Sequence, residues 1–215
     1  MRANRSMPPP TVARIEVETP HGVAAVHLRA VDAAVGVLAL GHGAGGGVQA
    51  PDLVAAADAG TATRFAVALV EQPYRVAGRR SPAPAHQLDT AWLAVVGHLR
   101  ATPLGGLPLV VGGRSSGARV ACRTAAAAGA AGVLCLAFPL LPPRRASGAQ
   151  APDRLHELEA VDVPVLVVQG VRDRFGMPPA GAGRTVVEVQ GDHSLRTDPA
   201  RVSAVVADWL AGLAA

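Results

Sequence analysis

The sequence has no lysine, and all twenty of its cationic side chains are arginines scattered without a long basic run. That distribution lacks the basic stripe with interleaved aromatics expected of a nucleic-acid binder, so the pI near 10.3 identifies no partner by itself. Aromatic residues make up only 3% of the chain, and the core has to be built from Val, Leu and Ala. There are two cysteines, Cys122 and Cys135, both in apolar surroundings and without ligand spacing, which reads as buried reduced thiols rather than a disulfide or a metal site. No segment approaches the roughly 18 uninterrupted apolar residues of a membrane span. Met1 to Pro10 also lacks the apolar stretch of a secretory signal. A cytoplasmic protein without membrane or nucleic-acid partners is the expectation.

What is present is apolar mass: half of the 215 residues are hydrophobic, enough for a single well-buried domain over 1–215. Arg14–Glu18 and Val23–Leu28, separated by Thr19-Pro20-His21-Gly22, read as an antiparallel hairpin. Val35–Leu40 is a short apolar run, as a strand covered on both faces requires, Phe65–Val70 and Leu107–Val111 read as further buried strands, and Val133–Phe138, Val163–Val168 and Val186–Val189 read as the strands that follow. Between them lie helical patterns from Asp52 to Ala59, from His86 to Arg100, and in the alanine-rich stretch ending at Ala131. A last helix opens at the N-cap Asp198 and Pro199. A hairpin followed by alternating strands and helices is an α/β pattern with a doubly wound, mostly parallel sheet. Arg75, Arg79, Arg80, Arg144 and Arg145 fall in proline-containing loops and read as solvated cations.

The apolar run ending at Val111 leads into Gly112-Gly113-Arg114-Ser115-Ser116-Gly117. Gly113, Ser115 and Gly117 fit G-x-S-x-G, the nucleophile elbow, in which a sharp strand-to-helix turn leaves no room for Cβ atoms two residues either side of the serine. A serine hydroxyl needs a base to accept its proton, and a base needs an orienting acid. In parallel sheets such groups gather at the C-terminal ends of strands. After Val168 comes Gln169-Gly170-Val171-Arg172-Asp173, and after Val189 comes Gln190-Gly191-Asp192-His193. Ser115, Asp173 and His193 therefore follow three strands in the chain order of an elbow hydrolase. Asp192 is a poor rival for the acid, being adjacent to the base, and Ser116 is a poor rival for the nucleophile, since the glycines frame Ser115.

Gly41-His42-Gly43-Ala44-Gly45-Gly46-Gly47 has two readings. As G-x-G-x-x-G after a strand it fits a dinucleotide loop, with Glu71 in the ribose position. As His-Gly-x-Gly it fits an oxyanion loop in which the Ala44 amide joins that of Ser116. The second reading also accounts for Ser115, Asp173 and His193, needs no cofactor, and is preferred.

Together LGHGAGG, GGRSSGARVA, QGVRDRFG and GDHSL resemble the predicted α/β-hydrolase family related to dienelactone hydrolases. Its animal relatives include a testis-expressed protein and a subunit of the NSL histone acetyltransferase complex. The resemblance implies an α/β-hydrolase fold and the triad Ser115, Asp173 and His193. Arg174 stands where the family pattern has proline, a departure that bears on the acid loop. About 25 residues separate Phe138 from Val163, too few for a large lid, so the pocket is expected to be open. The expected activity is cleavage of a small ester or thioester, as a carboxylesterase or thioesterase. The competing expectation is a binding or scaffold protein on the same fold.

Overall fold

The computed structural model describes residues 12–142 and 152–214. The expected α/β-hydrolase architecture is found: one sheet in the order β1-β2-β4-β3-β5-β6-β7-β8. Strands β1 (Val12–Thr19) and β2 (Gly22–Arg29) form the hairpin, and β2 runs antiparallel to β4 (Phe65–Glu71). The other strands pair in parallel: β3 (Gly36–Gly41), β4, β5 (Leu109–Arg114), β6 (Gly132–Leu136), β7 (Val165–Gly170) and β8 (Arg184–Val189).

The apolar runs are explained by alternation across the sheet. Val37 and Ala39, Leu109 and Val111, Val133 and Cys135, and Val165 and Val167 enter one core layer. Their neighbours Leu38 and Leu40, Val110, Leu134 and Leu136, and Leu166 and Val168 enter the other. Both faces need apolar side chains because both are covered. Helices α3 (Ala85–Arg100) and α4 (Ser116–Ala128) supply Trp92, Val95, Leu99, Val120 and Ala121 to the first layer. Helices α1 (Pro51–Ala62) and α6 (Pro199–Ala214) supply Leu53, Ala56, Val202, Val206 and Leu210 to the second.

Several boundaries differ from the sequence expectation. Strand β5 starts at Leu109 and continues through both glycines to Arg114, because the ladders with Gly41 and Leu136 extend that far. The alanine-rich helix stops at Ala128, where Gly129 takes the left-handed conformation that ends it. Two short helices, α2 (Pro73–Val76) and α5 (Leu155–Glu159), and a 3₁₀ turn at Pro103–Gly106 are too brief to leave a periodic signal. Glu157 of α5 is buried between Arg119 and Arg123 of α4, which fastens α5 to the sheet-facing helix. Arg144 and Arg145 lie outside the described residues, while Arg79 and Arg80 are exposed as expected. No helix among the described residues is long and apolar enough to cross a membrane.

Candidate active site

At the end of β5 the chain turns so sharply that Ser115 sits at φ 52° and ψ −107°, a backbone conformation that L-residues seldom adopt. Its amide donates to the Leu136 carbonyl at 2.9 Å, which anchors the turn to β6. The two elbow glycines are required by close approach to β3. A Cβ on Gly117 would stand 2.3 Å from the Gly41 carbonyl oxygen, and one on Gly113 would stand 2.4 Å from the same atom. The elbow is thus a three-way crossing of β3, β5 and α4.

Ser115, His193 and Asp173, distant in sequence, come together in one hydrogen-bonded row. His193 Nε2 lies 2.9 Å from Ser115 Oγ, and His193 Nδ1 lies 2.8 Å from Asp173 Oδ2. The Asp173 side chain is wholly buried, whereas that of His193 is 18% exposed. Asp173 Oδ1 accepts the Phe175 amide at 2.8 Å and Oδ2 accepts Gln169 Nε2 at 2.9 Å. Gln169 Nε2 also reaches the carbonyls of Phe138 and Gly176, tying the acid loop to the end of β6. Sequence reasoning assigned Gln169 no part. A polar residue at the end of a buried apolar strand, four before Asp173, is the signal that marks it.

Arg174 does not displace Asp173 from His193. Its guanidinium stacks on the Phe175 ring, 4.8 Å from the centroid, and the Phe175 ring packs edge-on against His193 with centroids 4.5 Å apart. Asp192 turns its carboxylate toward Ser194, accepting from its amide and its hydroxyl at 2.9 and 2.6 Å.

The loop after β3 lies beside the elbow. Burial pushes His42 below the ordinary imidazole value, against the opposing pull of its bond to the Gly43 carbonyl. Its ring is bonded at both ends. Nδ1 donates to the Gly43 carbonyl at 2.8 Å, and Nε2 accepts the Gln72 amide at 3.1 Å. Tyr74 of α2 donates its hydroxyl to the Ala44 carbonyl at 2.8 Å, and burial pushes that phenol up to about 12, so it keeps its proton. Among the described residues, neither the Ala44 amide nor the Ser116 amide donates to a backbone acceptor. Sequence reasoning missed Gln72 and Tyr74, whose short helix had no periodic pattern.

The arrangement does not suit a dinucleotide. A phosphate loop of that kind opens directly into a helix N-terminus. Here residues 42–50 intervene before α1, and the buried carboxylate of Asp52 occupies its first turn, accepting the Leu53 amide. Glu71, the ribose candidate, is engaged by His27 Nε2 at 2.9 Å. Cys122 and Cys135 are buried free thiols with Sγ atoms 3.5 Å apart. Among the described residues no cluster could hold a metal ion.

A family model described as an alpha/beta hydrolase domain matches residues 34–203. The chain belongs to the alpha/beta hydrolase family. Among solved structures this α/β-hydrolase is similar to Est1E from Butyrivibrio proteoclasticus, at 14% identity and TM-score 0.74 over 93% of this chain and 98% of that one. It is also similar to a serine hydrolase without a lid from Xanthomonas campestris, at 19% identity and TM-score 0.70 over 94% of each chain. A dienelactone hydrolase from Anabaena variabilis aligns at 16% identity and TM-score 0.71 over 94% of this chain and 97% of that one. At these identities the likeness is one of fold. No curated protein matches the sequence.

Proposed function

We propose that this α/β-hydrolase is a serine hydrolase that cleaves an ester or thioester through an acyl-enzyme, with Ser115 as nucleophile, His193 as base and Asp173 as orienting acid. The observation that carries this reading is the unbroken row from Ser115 Oγ through His193 to the buried Asp173 carboxylate. A carboxylate can only accept, so Nδ1 holds the imidazole proton and Nε2 is left free to take the one on Oγ. As the Ser115 oxygen bonds to the acyl carbon, its proton passes to Nε2, and the carbonyl oxygen becomes an anion. The unpartnered amides of Ala44 and Ser116 are the donors proposed for that anion, and Ser116 adds the positive end of α4. The imidazolium then protonates the departing alcohol or thiol. Water repeats the sequence on the acyl-enzyme and restores Ser115.

Only about 25 residues separate Phe138 from Val163, a span too short for a large lid, which supports an open site and small, soluble acyl groups over long lipids. A carboxylesterase or thioesterase in the cytoplasm fits these features. The test is covalent labelling with a fluorophosphonate together with hydrolysis of short p-nitrophenyl esters and thioesters. The native protein is expected to label and turn over, and Ser115→Ala to do neither while melting cooperatively. Labelling that persists in Ser115→Ala would overturn the assignment.

A further inference from the structure

Arg114 stands between the first elbow glycine and the nucleophile, and the chemistry above gives it no part. Its guanidinium nevertheless meets three separate segments. Nε lies 2.9 Å from Oδ2 of Asp52, whose side chain is fully buried at the start of α1. Nη2 donates to the backbone carbonyl of His193 at 3.0 Å. Nη1 fills the space beside Gly43 of the glycine loop, 2.7 Å from where a Cβ on that residue would stand. A planar fork can serve these contacts at once, while an ammonium on a flexible stem serves one at a time.

The carbonyl of His193 sets the plane of the peptide that follows the imidazole-bearing residue. Among the described residues Arg114 is the partner found for it. Because Arg114 and Ser115 are consecutive, the backbone that places the nucleophile also places this guanidinium. Asp52 keeps the guanidinium from swinging out, and burial raises the Asp52 carboxyl against the lowering pull of Arg114.

We infer that Arg114 is a positioning residue which, held by Asp52, fixes the His193 backbone so that the imidazole stands between Ser115 Oγ and Asp173. The inference rests on the serine-hydrolase reading. It adds to that reading a strut from the nucleophile's own strand to the base.

Arg114→Ala alone would strand a buried carboxylate and risk unfolding. The test therefore uses the double variant Arg114→Gln with Asp52→Asn, and the single variant Arg114→Lys. Turnover of a short p-nitrophenyl ester is measured together with long-range proton–nitrogen correlation of the His193 imidazole, which reports its tautomer whether or not the protein is active. The folded double variant should lose about 10²-fold in kcat, as a base displaced by about 1 Å would, with KM nearly unchanged. Its imidazole should change from the Nδ1–H tautomer to a mixture. Arg114→Lys, which keeps a charge beside Asp52 but cannot also hold the His193 carbonyl, should lose roughly tenfold in kcat.

Native kcat and an unchanged tautomer in a folded double variant would overturn the inference while leaving the hydrolase reading intact. If the double variant does not fold, Arg114→Lys decides, and native turnover there overturns it. If the native protein neither labels nor turns over, the hydrolase reading fails, and the tautomer comparison alone decides whether Arg114 positions His193.

Discussion

The elbow after β5 and the glycine-rich loop after β3 lie side by side, yet they are held by different means. The elbow is fixed by backbone contact: Gly113 and Gly117 press on the Gly41 backbone where neither could carry a Cβ, and the Ser115 amide is bonded to Leu136. The glycine loop has open space around Gly45 and Gly47, few bonds of its own at Gly43 and Gly47, and supports from outside, the Gln72 backbone amide on the His42 ring and the Tyr74 hydroxyl on the Ala44 carbonyl. Steric closure is written in local sequence, because only glycine meets it. Support by groups distant in sequence leaves no local trace.

This contrast sets an order of expected effects. Breaking the row that the elbow presents should do most: Asp173→Asn leaves the imidazole in the wrong tautomer and should lower kcat by about 10⁴-fold in a protein of near-native melting temperature. Forcing the crossing apart comes next. Gly117→Ala places a methyl against the Gly41 carbonyl and should cost about 3 kcal/mol or more in denaturant unfolding, with loss of fluorophosphonate labelling.

On the loop side, Ala44→Pro deletes the amide hydrogen proposed to meet the oxyanion and should lower kcat by roughly 10²-fold, provided its structure keeps the loop in place. Tyr74→Phe removes only a tether and should cost about 1 kcal/mol of stability and roughly tenfold in kcat. A Tyr74→Phe effect as large as that of Ala44→Pro would mean that the loop has no rigidity of its own.

The smallest effect is one of pH. His42 is held below the ordinary imidazole value of 6.5, so below that value the unfolded chain binds a proton that the folded protein does not. Its contribution to stability is complete above about 6.5 and is lost as the pH falls toward its folded value. Melting temperature should therefore decline on acidification, and His42→Gln should make the decline shallower, by at most about 1.4 kcal/mol per pH unit.

The same contrast explains what the sequence disclosed. The central parallel strands were legible because burial on both faces demands unbroken apolar runs, as at Leu38-Ala39-Leu40 and Val165-Leu166-Val167. Ser115, Asp173 and His193 were legible as residues that follow strands, since topology alone brings those three ends together. Their supports were not. Gln169 reaches the Phe138 carbonyl, the Gln72 backbone amide reaches the His42 ring, the Tyr74 hydroxyl reaches the Ala44 carbonyl and Arg114 reaches the His193 carbonyl, each about 30 residues or more away in sequence, and such bonds have no period and no motif. Boundaries moved where pairing outlasted the apolar run, as when β5 carried its ladder through Gly112 and Gly113 to Arg114.

The left-handed backbone at Ser115 has a consequence for any attempt to improve this protein by selection. A glycine there would relax the turn and gain on the order of 1 kcal/mol, since a strained non-glycine residue costs about 1–3 kcal/mol. A library sorted for thermal survival alone would therefore enrich Ser115→Gly, favouring variants that outlast the parent but lack the hydroxyl that the serine-hydrolase reading requires.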